Sequence, residues 1–214
     1  MDETRPVGAD AGSRRRREAV ESFWETRAEG TPQRILMGAT SAFVDLGYHG
    51  ASTREIALRS GMSATAMYVH FSSKQDLLFA ISRAGHDATS SAVLDNMALA
   101  SQPGERIRLG IGGLTSFNAE HAEMMRMLEY EYKSLTRENR RTIAETRADI
   151  EAHIRSTLEA GVASGEFTIH DVESMVVLLL SISIDVTRWY RTDPIRTPTV
   201  LGLQYADLAL RLLT

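Results

Sequence analysis

Apolar residues recur at helical spacing along most of this chain, and few residues interrupt the pattern. Ile35, Leu36, Ala39, Phe43 and Leu46 follow one another at steps of three and four residues or as neighbours on one helix face. Only five prolines occur among 214 residues, so the stretches between breakers are long. Long uninterrupted stretches argue against an all-β chain. The sequence therefore predicts an all-α fold of about nine helices with no strand.

Composition limits the classes of protein that this chain can belong to. Cysteine is absent, which excludes disulfides, zinc–thiolate sites and cysteine nucleophiles and favours an intracellular protein. The net charge is −4, whereas nucleic-acid-binding domains are often strongly basic. Residues 1–76 carry ten Lys/Arg and ten Asp/Glu, so that region has no net charge. An argument for DNA binding must therefore rest on a motif.

The sequence shows no export signal and no membrane-spanning segment. The N-terminal 30 residues lack the apolar core of a signal peptide. The most apolar run, Met175–Ile184, has ten residues, whereas a spanning helix needs about 20. We expect a cytoplasmic protein that does not bind a membrane.

Three regions follow from the pattern of breakers and charges. Residues 1–30 are expected to form a flexible, Arg-rich tail, 31–78 a three-helix head, and 79–214 a larger helical domain. The tail contains the run Arg14–Arg17. Four adjacent arginines can follow phosphates or enter a DNA minor groove, but a solvated tail is the simpler interpretation. Acidic residues follow the run at Glu18, Glu21, Glu25 and Glu29.

The segment from Ser52 to Phe71 has the pattern of a helix-turn-helix. Ser52 and Glu55 have the spacing of a capping box, which starts the first helix. Gly61 can adopt the left-handed conformation that the turn requires. Met62 is apolar within a turn, so we expect it to fill the gap between the helices. Ser63 is placed to cap the second helix.

The second helix leaves a polar face outward once its apolar members, Met67 and Phe71, turn inward. Small residues at its start allow the helix to enter the major groove of DNA. Thr65 can bond a base edge and Ala64 can touch a thymine methyl group. Other side chains of this region suit phosphate contacts, which set position without reading sequence. The predicted DNA-binding residues are Thr53, Arg54, Ser63, Ala64, Thr65, Tyr68, His70 and Lys74.

These residues form a dense motif. The chain reads Thr53-x-x-Ile56-Ala57-x-x-x-Gly61-Met62-Ser63-x-x-x-x-Tyr68-x-His70-Phe71-x-Ser73-Lys74-x-x-Leu77. This pattern resembles the DNA-binding signature of the tetracycline-repressor (TetR) family of one-component bacterial regulators. The resemblance covers about Arg34–Ile81, and Phe43, Gly47 and Tyr48 in the preceding helix also fit it. Ser60 and Met62 depart from the common residues, Ala and Val or Ile, without affecting the expected DNA contacts.

The resemblance implies a homodimer that reads a palindromic operator in double-stranded DNA. In the family, the larger domain dimerises through its last two helices. Such a dimer places two recognition helices about one DNA turn apart or slightly more. The same apolar stripes could also belong to the core of one subunit, and both can hold in nearly all-apolar helices. The predicted interface residues are Val176, Leu179, Ile182, Val186, Leu201, Tyr205 and Leu208.

The resemblance also implies a small-molecule effector held in the larger domain. Methionines cluster in one predicted helix and suit an irregular cavity, although such stripes are more often ordinary packing. The stretch Asp185–Arg191, followed by Pro194, resembles regulators of fatty-acid and sterol breakdown that respond to acyl-CoA thioesters. The predicted effector is therefore apolar or acyl-CoA-like. The predicted ligand-binding residues are Phe117, Met124, Met127, Leu128, Asp185, Arg188 and Trp189.

The predicted function is a ligand-responsive transcriptional repressor with no cofactor, no metal and no catalytic residues. An enzyme is disfavoured, because no nucleophile–base set or metal spacing stands out. Gly110–Gly113 is glycine-rich, but no predicted strand precedes it, so it is not expected to bind a nucleotide. The alternative is a helical protein-interaction scaffold without DNA binding. Such a scaffold would lack the steep salt dependence of DNA affinity.

Overall fold

The computed structural model describes residues 7–191 and 195–214, without the side chains of 7–13 and 15. Within these residues the fold is all-α, as predicted, with one more helix than expected, and no strand is present. The α-helices are α1 (Val7–Glu25), α2 (Gly30–Gly50), α3 (Thr53–Arg59), α4 (Ala64–His70), α5 (Lys74–Met97), α6 (Pro103–Glu120), α7 (Ala122–Glu131), α8 (Arg137–Ser164), α9 (Val172–Trp189) and α10 (Pro198–Leu213). A single 3-10 turn, Tyr132–Ser134, follows α7.

The chain folds into two compact units. The first contains the described residues up to Ile81 together with Met127–Leu135, and the second contains Ser82–Arg126 and Thr136–Thr214. The sequence prediction assigned all residues after 78 to the larger domain. The structure instead packs Met127–Leu135 with the first unit, where side chains at the end of α7 form hydrogen bonds.

Residues 7–25 form a helix, so the prediction of a flexible tail over 1–30 is wrong for them. Val20, Phe23 and Trp24 are 6%, 1% and 2% exposed, which places them in the core of the first unit. The indole Nε1 of Trp24 donates to Thr40 Oγ1 at 3.0 Å, which satisfies two buried polar groups in one contact. The first six residues of the predicted tail lie outside the described part.

Local signals set the ends of the short helices in the first unit. Gly47 has φ +70° and ψ 163°, a conformation that favours glycine, and it interrupts the helical geometry of α2. Ser52 caps α3, since its Oγ accepts from Glu55 N at 3.1 Å. The Glu55 carboxylate does not complete the predicted capping box and accepts from Arg59 Nε at 2.8 Å.

The core of the second unit brings α6 close to α10, α9 and α8. Ile111, Leu158, Leu179 and Leu213 are at most 1% exposed within this core. The crossing of α6 with α10 depends on glycine, because a Cβ at Gly202 would lie 2.6 Å from the carbonyl oxygen of Gly112. Such close backbone packing fixes α10 against α6.

His86 on α5 is buried beside a cation. Its Nδ1 lies 2.8 Å from the carbonyl oxygen of Ser82, and its Nε2 lies 2.9 Å from Arg147 Nη2. A neutral imidazole fits both contacts, donating to the carbonyl and accepting from the guanidinium. Burial, and then the charge of Arg147, lower the pKa of His86 to about 4.

This arrangement predicts a loss of stability in mild acid. The unfolded state protonates His86 near its ordinary pKa of 6.5, whereas the folded state resists protonation until about pH 4. The contribution of His86 to the free energy of unfolding is therefore fully present above pH 6.5. It decreases by about 3 kcal/mol as the pH drops towards 4.

Urea denaturation from pH 7.5 to 4.5 measures this loss of stability. The variant His86→Gln should show a flatter pH profile than the natural chain, while His153→Gln, which changes an exposed histidine, should not. Equal pH profiles for the natural chain and His86→Gln would refute the assignment.

Candidate nucleic-acid interface

The turn between α3 and α4 is held by backbone and side-chain hydrogen bonds. Gly61 adopts φ +66°, as the sequence predicts, and Met62 N donates to Ala57 O at 3.0 Å. Arg34 on α2 donates through Nη2 to the carbonyl oxygens of Ser60 at 3.1 Å and Gly61 at 3.0 Å. The sequence analysis assigned no role to this arginine, because it lies 26 residues from the turn.

Helix α4 begins at a serine cap and presents an exposed face. Ser63 Oγ accepts from Ala66 N at 3.1 Å, which confirms its capping role. Met67 is fully buried, so it fixes the inward side of the helix. Thr65 is exposed and Tyr68 is 46% exposed. Among the remaining predicted residues of this helix, His70 is exposed and Ala64 is half-buried.

Val69 is an additional exposed residue of α4 that the sequence analysis did not assign. Its side chain is 79% exposed. An outward apolar group on such a helix matches the methyl group of thymine in the major groove. At the start of α3, Arg54 is exposed and Thr53 is half-buried.

Lys74 is anchored to the loop between α2 and α3. Its Nζ donates to the carbonyl oxygens of Tyr48 at 2.7 Å and Ala51 at 3.1 Å. The same nitrogen lies 4.3 Å from the centre of the Tyr48 ring. An ammonium group has three N–H bonds, and the two carbonyl oxygens accept two of them. The phosphate contact expected of Lys74 stays a prediction.

The end of α7 clasps the same loop, and we call Glu131 with Ser134 the α7 clasp. Glu131 Oε1 accepts from Tyr48 N at 3.0 Å, and its Oε2 accepts from Ser134 Oγ at 2.8 Å. Gln75 on α5 donates to Ser134 O at 2.7 Å. Burial, and then the Glu131 charge, raise the pKa of Tyr48. Sequence reasoning missed the clasp because its partners lie 83 residues apart.

The structure distributes the predicted ligand-binding residues over both units. Phe117 and Met124 are buried in the second unit, whereas Met127 and Leu128 are buried in the first. The methionines of α7 therefore do not share one cavity with Phe117 within a single unit. On α9, Arg188 Nε lies 2.9 Å from Asp185 Oδ1, so these two residues form an ion pair, and Trp189 is 41% exposed.

Phe117 lines an open cavity of about 370 Å³ in the second unit. Arg108 and Glu120 contribute charged groups to this cavity, and Leu203 contributes an apolar side chain from α10. Gly112 and Gly202 form part of its wall, where α6 and α10 approach closely. The volume is within the range of small-molecule pockets.

Four of the predicted interface residues are buried within the single chain, as the alternative of core packing predicts. Val176, Leu179, Val186 and Leu201 are at most 2% exposed. Ile182 and Tyr205 are half-buried, and Leu208 is 50% exposed. The pattern could not fix the orientation of α9, because apolar residues occur on all its sides. The exposed apolar residues of the two helices, here named the α9–α10 apolar face, are Val177, Leu178, Ile184, Trp189, Val200, Leu203, Leu208 and Leu212.

The described residues contain no group of three or more His, Asp or Glu side chains that could hold a metal ion. None of the described helices is long and apolar enough to cross a bilayer.

A capped recognition helix, held by a glycine turn and presenting an exposed face, defines a helix-turn-helix DNA-binding protein. The family model described as "Bacterial regulatory proteins, tetR family" matches residues 35–81. The model described as "Tetracyclin repressor-like, C-terminal domain" matches residues 100–213, more than half of the chain. The chain belongs to the TetR family of transcriptional regulators.

Curated relatives and a solved structure agree with this membership. The transcriptional activator FasR of Mycolicibacterium smegmatis is 29% identical over 74% of this chain and 72% of its own. The transcriptional repressor KstR2 of Rhodococcus jostii is 28% identical over 85% of this chain and 90% of its own. The structure of AibR with isovaleryl coenzyme A and operator DNA has a TM-score of 0.75 at 24% identity, over 86% of this chain and 98% of that one, which shows the fold.

Proposed function

We propose that this chain is a homodimeric repressor that binds a palindromic operator and is released by a small apolar or acyl-CoA-like effector. The observation that carries DNA binding is the exposed face of α4 behind a serine cap. Thr65 and Val69 lie on that face and are suited to base edges and thymine methyl groups.

The other predicted DNA-binding residues suit the DNA backbone. Tyr68 and His70 on α4, and Thr53 and Arg54 at the start of α3, can donate to phosphates and set the position of α4. Lys74 adds a cation whose place is fixed by Tyr48 and Ala51. This division separates residues that read sequence from residues that supply affinity.

Gel shift and fluorescence anisotropy with the gene's own upstream DNA test the proposal. Operator affinity should fall steeply as the salt concentration rises. The reason is that arginines and lysines that bind phosphates displace counterions from the DNA. A helical scaffold that binds another protein would show no salt-dependent DNA affinity. That result would reject the DNA-binding function and favour the scaffold.

Two exposed residues of α4, Thr65 and Val69, form the reading face and give a specificity prediction. Thr65→Ala and Val69→Ala should each relax the preference at one base step, by about 1–3 kcal/mol for a direct contact. Binding to a library of operator variants measures the preference. Val162→Ala on α8 removes an exposed valine outside the reading face and should leave the preference unchanged. An unaltered preference in both α4 variants would show that this face does not read bases.

The homodimer is supported by the α9–α10 apolar face. Leu203 and Leu208 both lie on α10 and are 55% and 50% exposed. Several large exposed apolar side chains on neighbouring elements commonly mark a protein interface. A two-fold dimer would also present two copies of α4, as a palindrome requires.

The effector class rests on two features of the second unit. The cavity beside Phe117 can accept a short apolar group, and Trp189 with the Asp185–Arg188 pair offers an aromatic and charged surface on α9. AibR, which shares the fold, is described with isovaleryl coenzyme A. Acyl-CoA thioesters of different chain length should weaken operator binding, whereas coenzyme A alone should not. If no thioester or free acid changed operator affinity, this effector class would be wrong and DNA binding would stand.

Effector and operator must oppose each other reciprocally if release is the mechanism. The coupling free energy between two such sites is typically about 1–3 kcal/mol. KstR2 is named a repressor and FasR an activator, and transcription in vitro distinguishes the two roles for this chain. Transcription in vitro from the bound promoter should decrease on addition of the protein and recover with the effector. An increase on addition would identify an activator.

A further inference from the structure

Helix α1 lies before the segment that matches the family's DNA-binding model, which starts at residue 35. It is fixed to α2 by buried packing and by polar contacts at its middle and near its C-terminal end. Gln33 Nε2 donates to Trp24 O at 3.1 Å, and Arg16 Nη1 lies 3.2 Å from Asp45 Oδ1. Its position relative to the helix-turn-helix is therefore set by specific contacts within one compact unit.

Two arginines of α1 point to solvent. Arg14 and Arg17 are three residues apart, so they share one side of the helix, and their side chains are 82% and 80% exposed. Each forms an ion pair within α1, Arg14 with Glu18 at 3.0 Å and Arg17 with Glu21 at 2.8 Å. Exposed pairs of this kind contribute only a few tenths of a kcal/mol, so a phosphate can replace the carboxylate.

Arg17 also lines a groove of about 540 Å³ that reaches the turn of the helix-turn-helix. Arg34 and Arg59 line the same groove, together with the turn residues Ser60 and Gly61. Arg17 and Arg59 form ion pairs at this groove, and Arg34 donates to the carbonyl oxygens of the turn, so three guanidinium groups line it. The turn leads directly into α4, which places this arginine-lined groove beside the start of the recognition helix.

A nucleic-acid backbone fits these groups better than a protein partner does. Guanidinium groups bind phosphate oxygens through paired N–H donors. The exposed arginines belong to the same unit as α4. DNA that holds α4 in its major groove presents phosphates on both sides of that groove. An acidic protein segment would also match the charge of the arginines. Their position on the unit that carries the recognition helix favours DNA, because one DNA molecule could then contact both α4 and α1.

We propose that Arg14 and Arg17 contact operator phosphates outside the base pairs that α4 reads. The inference rests on the proposed DNA binding and adds α1 to the interface. It predicts two additional phosphate contacts per subunit, which contribute affinity without sequence preference.

The test is the salt dependence of operator affinity in the double variant Arg14→Gln/Arg17→Gln. The slope of log K against log [salt] should become shallower by about 0.9 for each lost phosphate contact. The matched control is Arg83→Gln/Arg141→Gln, which removes two exposed arginines that form i,i+4 pairs in the second unit. This control has the same change in net charge and should keep the slope of the natural chain.

Operators of two lengths give a second readout. Removal of the base pairs that flank the palindrome should weaken operator binding by the natural chain and by the control variant. It should have little effect on operator binding by Arg14→Gln/Arg17→Gln. An unchanged slope with retained operator binding would overturn the α1 contact and leave the proposed function intact. An equal decrease of the slope in the control variant would also overturn the α1 contact, because the decrease would then follow from the change in net charge. Absence of operator binding by the natural chain would instead reject the proposed function.

Discussion

Replacing Leu203 and Leu208 together by glutamate is expected to convert the protein into a monomer and to lower operator affinity about 100-fold. Both side chains are exposed on α10, at 55% and 50%, so the substitutions leave the core of the subunit intact. In a dimer, however, they would place unpaired carboxylates in an apolar interface, which is strongly unfavourable. A monomer binds one half-site and loses the advantage of simultaneous attachment at two half-sites.

Sedimentation equilibrium measures the association state, and anisotropy with the full operator measures affinity. Leu99→Glu is the matched control, because Leu99 is 77% exposed in the same unit and lies outside the α9–α10 apolar face. The control should remain dimeric. A double variant that still forms dimers at the concentration of the natural chain would show that α10 does not form the interface.

Lys74→Ala is expected to weaken binding to all DNA sequences by about tenfold or more and to destabilise the head. The substitution removes a phosphate partner and also leaves the carbonyl oxygens of Tyr48 and Ala51 without their donor. Loss of a charged donor from partly buried acceptors costs about 1–3 kcal/mol. The slope of log K against log [salt] should also become shallower by about one phosphate contact.

The chain contains one other lysine, and it supplies the control. Lys133 is exposed on the 3-10 turn, so Lys133→Ala should change neither the melting temperature nor operator affinity appreciably. Thermal unfolding separates the structural effect of Lys74 from its electrostatic effect on DNA. If Lys74→Ala bound the operator as tightly as Lys133→Ala at low salt, Lys74 would have no part in the interface.

The helix-turn-helix could be predicted because its determinants are local. Ser63 caps a helix whose first N–H groups lie within three residues, and Gly61 adopts its turn conformation through its own backbone. Helix α1 was not predicted because its local signals are weak. Its apolar residues, Val20, Phe23 and Trp24, cover only one short stretch, and the charged run before them is typical of a solvated tail.

Contacts distant in sequence could not be predicted. Glu131 and Tyr48 lie 83 residues apart, and no local pattern indicates that a carboxylate at the end of α7 accepts from the loop after α2. The orientation of α9 was ambiguous for another reason. When nearly every residue of a helix is apolar, periodicity does not distinguish the buried Leu179 from the exposed Leu178.

The α7 clasp has a mechanical consequence. Glu131 accepts from the amide of Tyr48, whose carbonyl oxygen in turn accepts from Lys74. A shift of the last turn of α7 would therefore move the Lys74 ammonium group through only two hydrogen bonds.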